Sequence, residues 1–249
     1  MLIGVVVFDL KNQYFSDILM HIEENCGLKG YSTVVMFTDK KADKEIECIE
    51  NLYHMAADGI VICPINHGEE FENFLLSLNI PIVTIGNKFQ GKIPYVGIDN
   101  AQAMSDTVHY IREKGYEAVV YVSPTLHLND NIFAQEERCK AFKKTAKAEG
   151  LDFVITDIAH VEDAIPADKK TALICPTDVY AVRLLDLARN RGVGIIGFDN
   201  IRLLDQMNIK LDSVSYDMKA AARAVVDYVA DGKTIQDVID HHIVERGSV

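Results

Sequence analysis

Short apolar runs that end at a carboxylate beside an aromatic recur along this chain, and helix-length amphipathic stretches separate them. Ile3-Gly4-Val5-Val6-Val7-Phe8-Asp9 leads into Asn12-Gln13-Tyr14-Phe15, and far downstream Gly194-Ile195-Ile196-Gly197-Phe198-Asp199-Asn200 ends in the same way. Strands that are apolar throughout are buried on both faces, which calls for a parallel sheet covered by helices on each side. Open α/β sheets bind ligands beyond the carboxyl ends of their strands. Two such ends, one from each half of the chain, predict a ligand held in a cleft between two lobes.

The alternation is regular. Strands are predicted over 3–8, 33–37, 59–63 and 81–85, with helices over 14–28, 44–56 and 70–78 between them. The first helix presents Ile18, Leu19, Ile22 and Cys26 at helical spacing, and the second is expected to bury Ile46, Ile49, Leu52 and Tyr53. The same βαβ grammar then repeats. Strands are expected at 95–98, 118–122, 153–155, 172–175, 195–198 and 239–244, with helices over 101–114, 133–148, 179–191 and 218–230. Val214 marks a further crossing back. Chain crossovers are placed near Asp99, Ser215 and Gln236. Residues 1–98 with 216–235 would then form one lobe, and 99–215 with 236–249 the other.

A chain of 249 residues exceeds one ordinary core and suits two α/β lobes. No apolar run reaches the roughly 18 residues that cross a bilayer. The start enters a strand directly, without a basic region or cleavage site, so no signal peptide is read. The formal charge is −12. The densest basic pairs, Lys40-Lys41 and Lys143-Lys144, read as solvated faces, whereas a duplex-binding surface needs a positive patch. These residues are not expected to bind DNA by themselves. Cys26, Cys48, Cys63, Cys139 and Cys175 are odd in number and widely spaced, as free thiols in a reducing compartment would be. A cytoplasmic location follows.

Gly192-Val193-Gly194-Ile195-Ile196-Gly197 matches the dinucleotide fingerprint, but it follows a helix and runs into a strand, the reverse of the required context. Gly192 is read as a helix C-cap and the other glycines as a tight turn. Nucleophile elbows, phosphate loops and H-E-x-x-H are absent from the sequence. His241-His242 falls in a predicted strand that sends the two rings to opposite faces. No cofactor, metal or catalysis is expected.

Binding is better supported. Tyr14 and Phe15 follow a strand end directly. They serve either as core packing and a hydrophobic staple or as a cover for an apolar ligand face. Asp9 and Asn12 supply polar partners nearby. Arg138, on a helix after the polar loop Leu128-Asn129-Asp130-Asn131, is by itself an ordinary surface arginine. Asp199 by itself is a helix N-cap. Together they could grip vicinal hydroxyls, each through two directed hydrogen bonds.

The phrases Ile3-Gly4-Val5-Val6-Val7…Asn12-Gln13-Tyr14-Phe15, Ala57-Asp58-Gly59-Ile60-Val61, Pro81-Ile82-Val83, Val96-Gly97-Ile98-Asp99-Asn100, Ile196-Gly197-Phe198-Asp199-Asn200 and Val244-Glu245-Arg246-Gly247-Ser248 occur in this order. Together they resemble the effector-binding core of the lactose/galactose-repressor family of bacterial transcription regulators, related to periplasmic ribose-binding proteins, over almost the whole chain. The resemblance implies two Rossmann-like lobes joined by three crossovers, with a small sugar-like effector in the cleft. It also implies a homodimer and operator binding through an N-terminal helix-turn-helix headpiece, which this sequence does not contain.

Carried over by motif, Asn12, Tyr14 and Phe15 match the aromatic ligand-facing motif, with Gln13 where proline is usual. Arg138 matches the arginine four residues before an aromatic, here Phe142. Asp199 matches the acid of the strand-end motif. Thr177 stands where asparagine commonly precedes Asp178, Tyr216 where glutamine is common, and Gly86-Asn87 where an Asp-Arg pair is usual. Cys63 ends another strand on the expected cleft side. Loss of the charged pair removes bidentate contacts and points to a less polar or bulkier effector, such as a glycoside or a ligand with an aromatic face. The alternative reading is a periplasmic-type solute-binding protein for a sugar transporter, which would be secreted and monomeric.

Overall fold

The computed structural model describes residues 1–88, 91–124, 132–235 and 238–249. The polar loop 128–131 and the crossover near Gln236 lie outside these residues. The chain divides into two compact units. The first comprises Met1–Ile98, His127–Ala134 and Asp217–Asp240, and the second Asp99–Leu126, Gln135–Tyr216 and His241–Val249.

In the first unit, β1 (Leu2–Val7), β2 (Ser32–Phe37), β3 (Gly59–Ile62), β4 (Ile82–Ile85) and β5 (Tyr95–Val96) form one parallel sheet in the order β2-β1-β3-β4-β5. α1 (Gln13–Leu28), α2 (Ala42–His54) and α3 (Glu69–Ser77) connect the early strands, and α9 (Met218–Asp231) returns late in the chain. Strand alternation sorts the side chains. Val6, Ile60, Ile62 and Ile82 pack with Ile49 and Leu52 of α2 and Phe71 and Leu75 of α3. The opposite face carries α1 and α9, whose Val229 side chain leaves room only for hydrogen at Gly59.

One expectation fails here. Ile46 and Tyr53 of α2 are 36% and 44% exposed, while Glu45, Cys48, Ile49 and Leu52 form the buried face. The true stripe runs i, i+3, i+4, i+7 from position 45, and Ile46 and Tyr53 each sit one residue, about 100°, off it. Glu45 can replace an apolar residue because its oxygens accept from the N–H groups of Ile65 (2.9 Å) and Asn66 (2.8 Å). Burial pushes this carboxyl above its ordinary range, against the pull of those N–H donors.

In the second unit, β6 (Ala118–Val122), β7 (Asp152–Thr156), β8 (Thr171–Ile174), β9 (Gly194–Phe198), β10 (Asp212–Tyr216) and β11 (His241–Val244) follow the order β11-β10-β9-β8-β6-β7. All neighbours are parallel except the edge pair β10–β11. Val120, Leu173, Cys175 and Ile195 pack against α6 (Val161–Ala164), α7 (Asp178–Arg191) and α8 (Leu203–Gln206). On the other face lie α4 (Asn100–Glu113) and α5 (Phe133–Ala148), where Phe142 touches Tyr121 and Phe153 with ring centroids 4.9 and 5.4 Å apart.

The predicted 239–244 strand is split. Val238 and Ile239 lie beside Gly97 in the first unit, and β11 begins at His241 in the second. The short helices α6 and α8 have no counterpart in the sequence reading, because one turn leaves no periodicity to detect. Gly192 caps α7 in the left-handed conformation (φ 63°), as expected. Gly194 and Gly197 do not form a turn but lie inside β9, where Asp178 sits too close to Gly197 for any side chain. Replacing Gly192 by alanine should cost about 1 kcal/mol in chemical denaturation, since alanine resists φ > 0.

Candidate functional site

Each sheet reverses its strand order once, between β1 and β3 in the first unit and between β6 and β8 in the second. The crevice outside the carboxyl ends at such a reversal is where open α/β sheets hold ligands. Asn12, Tyr14, Phe15 and Cys63 follow β1 and β3 and Thr177 follows β8, whereas Asn87 follows β4, Asp199 follows β9 and Tyr216 ends β10.

In the first unit Asn12 is the N-cap of α1, and its Oδ1 accepts from the Tyr14 N–H at 3.1 Å. The cap starts the helix so that Tyr14 and Phe15 fall in its first turn, beside the end of β1. Both rings are 9% exposed. Phe15 meets Phe8 and Tyr14 edge-on, with centroids 5.3 and 5.1 Å apart. The Tyr14 hydroxyl and the Cys63 Sγ both lie 3.6 Å from where a side chain at Gly86 would begin. Gly86, at φ 81°, turns the chain after β4 so that Asn87 is buried, and Asn87 Oδ1 accepts from the Ala134 N–H at 3.1 Å. Burial drives the Cys63 thiol far above its usual pKa, so it is neutral and unreactive. Tyr14, Phe15, Cys63 and Asn87 thus form one patch: aromatic, with a few placed polar atoms. Asn12→Ala should cost about 1 kcal/mol of stability through the lost cap, measurable by urea unfolding.

In the second unit Arg138 projects from α5. Its guanidinium carbon lies 3.4 Å from the Phe198 ring centroid, Nε donates to Asn100 Oδ1 at 2.8 Å, and Nη1 donates to the Pro176 carbonyl at 3.3 Å. A guanidinium carries five N–H donors, so three remain without a partner among the described residues. The stacked plane and the two bonds fix the direction in which those donors point. Thr177 caps α7 without a side-chain cap bond, and Tyr216 ends β10. Asp199, the residue after β9, is buried and holds φ 100°, and Asn200 follows at φ 50°. Side-chain-bearing residues at such angles store about 1–3 kcal/mol each and persist only when their surroundings hold them.

Two residues of this region carry no site role in the sequence reading. Asn100, buried at the start of α4, orients Arg138. Asp178, at the start of α7, is fully buried and organises the end of β9. Its Oδ1 accepts from Ser213 Oγ at 2.6 Å and its Oδ2 from the Ile201 N–H at 2.9 Å. Burial pushes its carboxyl up from 3.8 to about 7, while Ser213, the Ile201 N–H, Arg246 and the Asn200 N–H pull the other way. A raised folded-state pKa means the fold binds more protons than the unfolded chain between those two values. Stability should therefore fall as pH rises from about 4 towards 7 and level off above. Asp178→Asn should flatten that slope in unfolding measured across the range.

Among the described residues no cluster of histidine, cysteine and carboxylate groups could hold a metal ion, all five cysteines are free thiols, and no helix is long and apolar enough to cross a membrane. Residues 1–173 match the family of periplasmic binding proteins and sugar-binding domains of LacI-type proteins, and 108–249 match a periplasmic-binding-protein-like domain family. Catabolite control protein A of Priestia megaterium is 28% identical, over 95% of this chain and 77% of that protein. Among solved structures, the transcription regulator CcpA of Lactococcus lactis superposes with a TM-score of 0.83 at 20% identity, covering 100% of this chain and 99% of that one. A periplasmic binding protein/LacI transcriptional regulator from Alkaliphilus metalliredigens, solved with D-xylulofuranose, gives 0.80 at 21% identity, covering 100% and 98%.

Proposed function

The chain belongs to the family of periplasmic binding proteins and LacI sugar-binding domains, as a ligand-sensing domain of a transcription regulator, and on that premise we propose which residues read the effector. The contacts proposed for a small polyhydroxylated effector with an apolar face are Asn12, Tyr14, Phe15, Cys63 and Asn87 in the first unit and Arg138, Thr177, Asp199 and Tyr216 in the second, each set taken by itself. Arg138 carries the reading. A guanidinium held over Phe198 at the carboxyl ends of β8 and β9, with donors left over, suits paired hydroxyl oxygens. The aromatic rings of the first unit suit the C–H face of a sugar or its aglycone.

The protein works as a homodimer in the cytoplasm and performs no catalysis. Its effector shifts a conformational equilibrium, and a helix-turn-helix module passes that shift to operator DNA. The coupling is bounded by the effector's differential affinity for the two states, typically about 1–3 kcal/mol. The net charge of −12 supports placing DNA contact on a separate basic module.

A thermal-shift screen of free pentoses and hexoses, D-xylulose and aryl glycosides tests the reading. A ligand of the folded state raises Tm by mass action, and glycosides are expected to exceed free sugars because Gly86-Asn87 offers no charged pair. If none of these compounds moves Tm at millimolar concentration, the sugar-type effector is wrong.

A further inference from the structure

The strained end of β9 is held by a polar cage drawn from four separate stretches of the second unit. Asp178 supplies the carboxylate, on Ser213 Oγ and the Ile201 N–H. Ser213 Oγ in turn accepts from the Asn200 N–H at 3.0 Å. The Asn200 side chain donates to Ser215 Oγ at 3.1 Å and accepts from Arg246 Nη2 at 2.7 Å. Arg246 is anchored by Asp205 and the Leu211 carbonyl, and its own backbone N–H donates to Asp212 at 2.6 Å. Gly197 allows Asp178 to come this close, with the Asp178 Cα only 3.1 Å from where a methyl would stand.

We propose that Asp178 is a positioning residue: its carboxylate holds Asp199 and Asn200 in their left-handed conformation and so aims Asp199 without itself meeting the effector. The functional consequence rests on the reading that Asp199 contacts the effector, but the structural claim does not. Geometry supports the assignment because Ser213 and Ile201, the two groups Asp178 grips, are each joined to the strained pair, one by a hydrogen bond and one through the chain. Ser213 holds the Asn200 N–H, and Ile201 is the residue after the pair. Both carboxylate oxygens are needed, one for each.

Among the described residues, the titratable groups that act on Asp178 include Arg246, which favours its carboxylate, and the Cys175 thiol, itself kept neutral by burial. Protonation of Asp178 leaves one oxygen a poorer acceptor and loosens one side of the grip. The Asp199 direction is therefore pH-sensitive near neutrality even with no ligand present.

Amide spectra of the intact chain without ligand, recorded from about pH 5 to about pH 9 to bracket the shifted carboxyl, test this. The Ile201, Asp199 and Asn200 resonances should titrate together near neutral pH in the wild type. In Asp178→Asn they should be pH-independent and resemble the wild type at low pH. Hydrogen exchange at Ile201 should rise on the order of tenfold in that variant, the effect of losing a charge-assisted bond. Ser213→Ala should shift the Asn200 amide and leave residues 181–188 of α7 unmoved, so it carries the test if Asp178→Asn does not fold. If the 199–201 resonances are unchanged in both variants, or do not titrate in the wild type, the assignment is overturned. A failed sugar screen would leave these spectra as they are, and altered spectra would stand without any bound sugar.

Discussion

Phe142→Ala is expected to destabilise the second unit by about 3–5 kcal/mol, the cost of emptying a large aromatic site in a packed core. Phe142 is 0% exposed and stands between Tyr121 of β6 and Phe153 of β7 on the α5 face of the sheet. Two of its neighbours are held in place. Tyr121 is itself fully buried on a central strand, and α5 is fixed on the same face by Arg138 against Phe198 and Asn100. At about 2–4 °C per kcal/mol for a protein of this size, Tm should fall by roughly 10 °C. The chain has no tryptophan, so calorimetry or far-ultraviolet dichroism is the suitable probe. Phe142→Leu should cost less than half as much, because most of the volume is kept. A loss below about 1 kcal/mol for Phe142→Ala would mean this core packs loosely.

The second large effect concerns binding. Arg138→Ala should weaken the sugar identified by thermal shift on the order of 100-fold, about 2–3 kcal/mol, as expected for removing charge-assisted hydrogen bonds to a bound ligand. Arg138→Lys should recover little of this, since a lysine has neither the planar fork nor the stacking on Phe198. Isothermal titration of both variants, with unfolding curves to show that they fold, separates lost contacts from lost structure. Asp199→Asn keeps the side-chain volume and a left-handed preference, so any loss of affinity it shows belongs to the carboxylate. Equal affinity in wild type and Arg138→Ala would remove the guanidinium from the effector contacts.

Much of the fold was legible because continuous burial writes itself into local sequence. β6 and α5 fall at their predicted bounds, and α1, α4 and α7 start one residue earlier than expected. What was missed depends on partners far away in the chain. In α2 Ile49 and Leu52 are buried as expected, but Ile46 and Tyr53 are not; an apolar Ile46 looks better suited to the core than Glu45. Only the loop N–H groups twenty residues on make the carboxylate acceptable there. The glycines of β9 looked like a turn because their function, a close approach by Asp178, lies outside the local pattern. For the candidate site, the residue types and the strand ends were readable, since ligand-facing groups follow strands directly. The groups that aim them were not. Asn100 reaches Arg138 across 38 residues and Ser213 reaches Asp178 across 35, and no periodicity encodes such pairs.

Arg138 and Asp199, both of the second unit, are the residues proposed to grip the effector. A crystal structure of the chain with the most stabilising sugar tests that assignment most directly. The expected result is a sugar oxygen within about 3.2 Å of an Arg138 Nη atom, hydrogen-bonding distance. A sugar bound away from both Arg138 and Asp199 would overturn their assignment.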